Sequence, residues 1–482
     1  MGLTATATIR GHAPQRTVCE SPIASRNRFT PGRPRGILRS KVMSTQKQLA
    51  ESIIHRLRDA GHETLLAGGC VRDLLLARSP KDYDVATGAR PDEVLALYPK
   101  ALAVGAAFGV VVVVEGTVQV EVATFRAEQG YADGRRPDAV RFTNAREDAR
   151  RRDFTINAMF LDPADGKVID YVGGREDLQA RLIRAVGDPR GRFAEDHLRM
   201  LRAVRFAAEL GFAIEAATAE AIRELAPRVA SVSGERVREE LARILTAAPD
   251  GRRRGMELAS ELGLLAVLLP EVEHLRGEPQ PPAVHPEGDV FRHTLLCLEH
   301  LREPTFELAL ASLLHDVGKP STARMRDGRV TFYHHQRVGE DAARAVCERL
   351  RMSTNQTRRV TWLVARHMML INFDEMREAT LKRLFAEEGF EELAELWRAD
   401  CLASGGSAEG YEALMARYRA MSAEEVRPEP LVTGHDLIAM GLAPGPRFAD
   451  ILRQVYDAQL EGRAGTKEEA LALAREIAEE EV

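Results

Sequence analysis

Gly68-Gly69-Cys70-Val71-Arg72-Asp73, followed shortly by Lys81-Asp82-Tyr83-Asp84-Val85, is the stretch on which the reading of this chain turns. Thr64–Ala67 ahead of it reads as a short apolar strand, and a helix pattern runs on from the glycines through Leu76. The glycine pair therefore sits at a strand-to-helix junction, where bare amides and the helix dipole favour a phosphate. Tyr83–Ala86 reads as a second strand, which places Asp82 and Asp84 at positions i and i+2, on one side. Two carboxylates on one side repel unless a cation lies between them, and a hard ion such as Mg²⁺ suits oxygen donors. Phe108–Val114 and Val118–Phe125 read as two strands joined at Glu115-Gly116, a hairpin signal. In the second of them Val118, Val120 and Val122 face one way while Gln119, Glu121 and Ala123 face the other. Glu121 is thus a candidate third carboxylate, and three across adjacent strands suit two-metal phosphoryl transfer. A lone D-x-D is equally a solvated turn, and a lone Gly-Gly equally a tight bend; their combination with Arg72-Asp73 gives the reading its force.

Outward from this stretch, the chain has 482 residues, 45% hydrophobic and 29% charged, enough for two or three domains. Its longest apolar run, Val110–Val114, is far short of the roughly 20 residues that span a bilayer. Glycine and proline usage excludes collagen-like or wholly disordered chains. The five cysteines (Cys19, Cys70, Cys297, Cys347, Cys401) form no C-x-x-C pair, which argues against a disulfide scaffold or cysteine-built zinc site and for a reducing cytoplasm. Net charge is −5, unevenly spread: residues 1–42 carry eight basic groups and one acid, whereas from Met368 onward 12 basic groups face 24 acids. An acidic total does not exclude nucleic acid, because phosphate binding depends on local basic patches. Residues 1–42 show no apolar periodicity and are expected to be disordered. They read as a transit peptide, as an RNA-binding arm, or as sequence upstream of a true start at Met43. After about Asp177 long apolar-periodic helices run to Leu269, and Pro279, Pro281, Pro282 and Pro286 mark a linker. The sequence is helical again beyond it, with breaks at Gly405-Gly406 and Pro428–Pro430; Glu476–Glu481 reads as a solvated acidic tail.

Further blocks follow in order: Val122-Ala123-Thr124-Phe125-Arg126, then Arg151-Arg152-Asp153-Phe154-Thr155-Ile156-Asn157-Ala158, then Glu195-Asp196-His197-Leu198-Arg199-Met200-Leu201-Arg202. With the glycine and D-x-D segments, these resemble the class II tRNA nucleotidyltransferase and bacterial poly(A) polymerase family from about Met43 to Leu269. The resemblance implies an α+β protein: a small mixed α/β, polymerase β-like head, then an all-α neck and body. Asp82 and Asp84 then match the Mg²⁺ carboxylates, with Glu121 a less specific match. Gly68, Gly69, Arg72, Arg151, Arg152, Asp153, Asn157, Asp196, Arg199 and Arg202 match nucleotide-binding positions. Arginine forks suit triphosphate oxygens, and Asp153 suits a ribose hydroxyl, or equally a helix N-cap. Asp196 and Arg199 at i, i+3 are expected on one helix face, where the family reads the base edge. A carboxylate accepting an exocyclic amine beside a guanidinium donor favours C and A over U and G, by about 1–3 kcal/mol per contact. Gly130–Pro137 matches in outline a mobile loop that the family links to switching from C to A.

A second constellation lies past the linker: His293, His315-Asp316-Val317-Gly318-Lys319, His334-His335, His367 and Asp400. Imidazoles and carboxylates on separate helices can hold Zn, Mn, Ni or Fe. The order resembles the HD-domain phosphohydrolases, matching His293, His315, Asp316, His335 (in preference to His334), His367 and Asp400 as metal ligands, and Lys319 as a phosphate contact. A buried, inactive relic is the competing reading. The expected organisation is an extension (1–42), a nucleotidyltransferase head (43–176), a helical neck (177–270), an all-α HD domain (283–404) and a helical tail (405–482). The expected activity is addition of C and A from CTP and ATP to the 3′ end of tRNA, in the cytoplasm and without a membrane. A poly(A) polymerase, or an enzyme adding only CC or only A, shares these motifs. An RNA-end phosphohydrolase with a secondary head, or an RNA-binding protein with a dead head, are the readings from other classes.

Overall fold

The computed structural model describes residues 35–130, 139–280, 288–326 and 329–480. Most of the leader, the Gly130–Pro137 loop after its first residue, and Pro281, Pro282 and Pro286 lie outside them. The first helix spans Arg35–Asp59, not the stretch from Leu49 alone. Residues 35–42, expected to be disordered, are helical because no proline or glycine pair interrupts the chain between Pro34 and Gly61. Leu49, Ala50, Ile53, Ile54 and Leu57 bury the apolar side of its second half.

The head is a six-stranded sheet. Four of its strands are β1 (Thr64–Ala67), β2 (Asp84–Thr87), β3 (Val110–Glu115) and β4 (Val118–Thr124), and two short ones are Phe160–Leu161 and Val168–Ile169. The spatial order is β3, β4, β2, β1, then the two short strands. β1 pairs antiparallel with β2, with Ala67 opposite Asp84, and β2 pairs parallel with β4, with Val85 opposite Val122. The hairpin forms as its sequence predicts: Val118, Val120 and Val122 are buried while Gln119 and Glu121 are exposed. β2 starts at Asp84, so Asp82 precedes the strand instead of lying on it; Tyr83 between them points into the core.

Neck helices Leu198–Leu210, Ala216–Leu225, Gly234–Leu245 and Pro249–Glu261 continue the head's core without a break. The same apolar cluster runs on into the helices that carry the histidines, ending at Leu414 and Met415. A separate cluster, Val432 to Ala478, forms the core of the C-terminal helices. These dock on the body through Arg383–Asp457 (2.7 Å) and Arg377–Glu461 (2.9 Å). The end expected to be a solvated acidic tail is the last part of a helix, Lys467–Glu480: Glu476 and Glu479 are exposed, while Ala470, Ala474 and Ala478 at i+4 spacing give the helix a buried side. Its acids occupy the remaining face.

Candidate functional sites

Gly68 follows β1, with a φ of 77° that an L side chain rarely adopts. A Cβ there would also lie 3.0 Å from Arg152 Nη1 and 3.8 Å from Asp84 Oδ2. The glycine thus lets the turn, an arginine and a carboxylate share one corner. That corner opens into a cleft of about 1120 Å³ whose lining includes Gly68, Gly69, Arg72, Asp82, Asp84, Arg151, Arg152, Asp153, Asn157, Asp196, Arg199 and Arg202. Every nucleotide-binding position expected from the sequence therefore meets here, from segments more than 130 residues apart.

Charge shapes the cleft. Burial, then the neighbouring charges of Glu121 and Asp82, push the Asp84 carboxyl up to about 6. A carboxylate crowded by burial and by like charges in this way favours a cation beside it. Glu121 does not line the cleft; its strand lies beside β2, and its charge reaches Asp84.

On the opposite wall the arginines are held rather than loose. Asp148, 1% exposed, accepts from Arg151 at 2.7 Å and from Arg152 at 3.1 Å. Burial opposes its charge, but the two guanidiniums outweigh burial and hold its carboxyl below the ordinary range. Arg72 donates to Asn157 Oδ1 at 2.7 Å and pairs with Asp73 at 2.8 Å. Asp153 accepts from Phe154 N and, at 2.6 Å, from Arg202. Burial works against the Asp153 charge, and Arg202 outweighs it, leaving the carboxyl at about 2. Its second oxygen is thus already engaged by an arginine.

The expected helical pairing of Asp196 with Arg199 is corrected. Asp196 falls between helices Pro189–Glu195 and Leu198–Leu210, in extended backbone, and only Arg199 is helical. Asp196 cannot continue either helix because its own carboxylate accepts from Leu198 N. Arg236, from the helix Gly234–Leu245, grips both Asp196 oxygens at 3.1 and 2.7 Å, while Arg199 pairs with Glu195 at 2.5 Å. Both side chains still line the cleft. Asp148 was detectable from its i−3, i−4 spacing to Arg151 and Arg152; Arg236 carries no local signal, since only the neck fold brings it back.

The solved CCA-adding enzyme of Bacillus stearothermophilus in complex with CTP is 30% identical, with 90% of this chain aligned to 98% of that one at a TM-score of 0.68. The chain belongs to the CCA-adding enzyme family. Residues 64–184 match the family described as "Poly A polymerase head domain", residues 211–275 "Probable RNA and SrmB- binding site of polymerase A", and residues 329–474 "tRNA nucleotidyltransferase domain 2 putative". The curated CCA-adding enzymes of Geobacillus sp. (strain WCH70) and Geobacillus stearothermophilus are each 46% identical over 222 residues, 46% of this chain and 54% of theirs. The chain thus spans about half the length of these curated relatives in those alignments. A Thermotoga maritima CCA-adding enzyme complexed with tRNA is 20% identical over 92% of this chain and 98% of its own, with a TM-score of 0.58, a likeness of fold alone.

Residues 276–328 fall between the second and third family matches, and half of the histidine constellation lies there. The structure assembles the whole set. His293, His315, Asp316, His335 and His367 are each at most 5% exposed. Asp316 is the hub: Oδ2 lies 3.3 Å from His315 Nε2 and 3.8 Å from His293 Nε2, and Oδ1 3.4 Å from His335 Nε2 and 3.9 Å from His367 Nε2. Asp400 lies 3.1 Å from His293. His315, His335 and His367 donate Nδ1–H to the carbonyls of Ser312, Phe332 and Val364, which turns their Nε2 atoms inward. His335, not His334, enters the cluster. A Cβ at Gly318 would overlap the His335 carbonyl, so that glycine permits the close approach of the two ligand-bearing segments. Lys319 pairs with Asp316 at 2.7 Å and donates to Gln280, a linker residue that the sequence did not single out.

Without a cation the cluster divides its charge unevenly. Burial opposes a charged His315, but Asp316 outweighs it and pushes the imidazole up to about 10; burial, then the charge on His315, push His367 down to about 3. His335 and His367 face each other Nε2 to Nε2 at 3.1 Å, and His315 Nε2 makes no hydrogen bond among the described residues. Such donors fit a divalent metal bound by nitrogen and oxygen.

Proposed function

We propose that the head transfers CMP and AMP from CTP and ATP to the 3′ end of tRNA lacking its terminal CCA. The observation that carries this reading is the single cleft in which Asp82 and Asp84 face the Gly68-Gly69 turn, the arginine wall and the Asp196/Arg199 corner. Asp82 and Asp84, with Glu121 acting on Asp84, would hold Mg²⁺, which when bound stabilises charge developing on the transferred phosphoryl group. The chain's own groups do the positioning. The glycine turn admits the phosphates against backbone amides. Arg151 and Arg152, pre-set by Asp148, offer guanidinium forks to the triphosphate. Arg202 fixes Asp153 toward the ribose, and Arg236 fixes Asp196 beside Arg199 to meet the base edge. The RNA 3′-hydroxyl attacks the α-phosphorus, the bond to the bridging oxygen breaks, and pyrophosphate leaves; no covalent enzyme intermediate is needed.

The test uses purified protein, Mg²⁺ and tRNA transcripts ending before CCA, after C and after CC, each with CTP, ATP or both. Addition of C, C and A that then stops supports this reading. Long A tracts would make the protein a poly(A) polymerase, partial addition a CC- or A-adding enzyme, and no addition would remove the proposal. The four described cysteines are free thiols, and no helix among the described residues is long and apolar enough to cross a membrane.

A second reading belongs to the histidine cluster, which we take as an HD metal site with phosphohydrolase activity on RNA phosphate ends. The inward turn of three Nε2 atoms around the buried Asp316 carboxylate favours it. His293, His315, Asp316, His335, His367 and Asp400 would hold Mn, Ni, Zn or Fe, whose Lewis acidity lowers the pKa of a bound water. Lys319 lies close enough to Asp316 to meet a substrate phosphate at the same centre. Release of phosphate from 3′- or cyclic-phosphate RNA by the metal-loaded protein tests it.

A further inference from the structure

We propose that Cys297 is a metal ligand, so that the cluster presents a mixed sulfur, nitrogen and oxygen donor set to a thiophilic divalent ion such as Zn²⁺. This rests on the reading of the histidine cluster as a metal site. Cys297 and His293 are i+4 and i on the helix Val290–His300, which stacks them on one face. The thiol is fully buried, and its Sγ lies 3.3 Å from His293 Nε2. The ligating atoms of His293, Cys297, His315 and Asp400 all fall within 4.8 Å of one another, and those of Asp316, His335 and His367 form a second such group.

Hydrogen bonding alone accounts poorly for this arrangement. A neutral imidazole nitrogen has one in-plane direction, carrying either a proton or a lone pair. Yet three polar atoms converge on His293 Nε2: Asp400 Oδ1 at 3.1 Å, Cys297 Sγ at 3.3 Å and Asp316 Oδ2 at 3.8 Å. At most one of them can be its partner. Beside them His315 Nε2, on a side chain only 1% exposed, has no hydrogen bond among the described residues. An over-subscribed nitrogen beside a second inward-turned one, itself 3.3 Å from the same Asp316 oxygen, is explained by a cation among the four donors, toward which each directs a lone pair. On ligation the thiol loses its proton to solvent and a sulfur–metal bond forms. A thiolate shifts preference toward Zn²⁺, Co²⁺ and Fe²⁺ and away from Mg²⁺ and Ca²⁺, which take oxygen. The two ion sites of the molecule would then sort metals by donor chemistry alone. Cys401, next to Asp400 in sequence, lies outside both donor groups and is the natural control.

The test is X-ray absorption at the zinc edge on the full chain loaded with one equivalent of Zn²⁺, with Mg²⁺ in excess to occupy the head carboxylates. A sulfur shell at about 2.3 Å beside nitrogen and oxygen at about 2.0–2.1 Å is the expected result. Cys297→Ser should lose that shell, keep a nitrogen and oxygen shell, and raise the Zn²⁺ dissociation constant about 10–100-fold. Cys401→Ser should keep the sulfur. Bound zinc with no sulfur in the unmodified protein would overturn the role of Cys297 while leaving the metal site standing. Loss of the sulfur in Cys401→Ser instead would also overturn it. Failure to bind zinc at all, with His315→Ala no different, would overturn the metal reading itself. The spectrum of the unmodified protein decides the matter even if Cys297→Ser fails to fold.

Discussion

The head cleft and the histidine cluster both gather carboxylates and cationic groups, but they solve opposite problems. The cleft has an exposed Asp82, a partly exposed Asp84 and a wall of arginines that other carboxylates already hold. Its volume and its arginine wall fit the large, highly charged guest proposed for it, and its own charges are held in position by ion pairs. The cluster buries its donors to 5% exposure or less, apart from Asp400, and points ring nitrogens at one another. Its donors lie close enough together to fit the ion proposed for it. The difference teaches that a perturbed carboxylate has to be read with its surroundings. Asp84 is pushed up by burial and then by the neighbouring acids Glu121 and Asp82, whereas Asp316, though burial opposes its charge too, is driven down by His315 and Lys319.

The sharpest way to break this comparison is to disable each region separately. Asp82→Ala or Asp84→Ala should lower nucleotide addition by about 10³-fold or more, since the phosphoryl group loses its charge stabilisation. Hydrolysis of phosphate-ended RNA should survive. His315→Ala should do the reverse. If either substitution removed both activities with the fold intact by circular dichroism, the two regions would be one functional unit and the comparison would collapse.

The next effect in size concerns how the cleft keeps its arginines. Replacing one partner in a buried, bifurcated ion pair costs about 3–5 kcal/mol when a charge is left uncompensated. Asp148→Asn should therefore lower the melting temperature and also raise KM for CTP and ATP together, because Arg151 and Arg152 lose their shared anchor. Equal KM values in variant and parent would show that the arginines do not depend on Asp148 for their aim.

Much of this was legible before folding was considered. The glycine turn, the hairpin and the histidine order are local patterns, and each came out where spacing placed it; of the D-x-D pair only Asp84 lies on the strand, with Asp82 just ahead of it. Asp196 shows where spacing fails: i, i+3 implies one face only if both residues are helical, and a carboxylate that caps its own downstream amide ends that assumption. Arg236 and Gln280 were not legible at all. They reach the sites through returns of the chain of 40 and 39 residues, and no periodicity encodes such contacts. Cys297 stands at i+4 from His293 in the sequence, but with no cysteine near it the spacing carries no metal-site signal of its own. The buried alanines of the last helix were hidden by the acids between them.

Arg236 supplies a smaller, more specific test. Arg236→Ala releases both oxygens of Asp196 without touching the carboxylate, so addition should continue while base choice relaxes. The ratio of kcat/KM for CTP over UTP should fall about tenfold to a hundredfold, the range one well-placed contact supplies. A uniform loss for all four nucleotides would instead make Arg236 a general support of the neck.

The smallest expected effect is on stability and follows from the sign of the Asp84 shift. Its carboxyl is raised to about 6 from an ordinary 3.8, so the folded head holds the proton more tightly than the unfolded chain does. The stabilising contribution is complete below pH about 4 and is lost as pH rises through about 6, worth at most about 3 kcal/mol. Asp84→Asn has no such proton to lose. In a chelator at pH 7.5 the variant should melt a few degrees above the parent, and at pH 4 the two should coincide. Mg²⁺ at pH 7.5 should reverse the order, because only the parent keeps a full carboxylate set for the ion. A melting temperature for the parent that ignores both pH and Mg²⁺ would mean that Asp84 is not the strained member of a cation site. The cleft would then lose the feature that most separates it from the histidine cluster, a charge raised in waiting for its ligand.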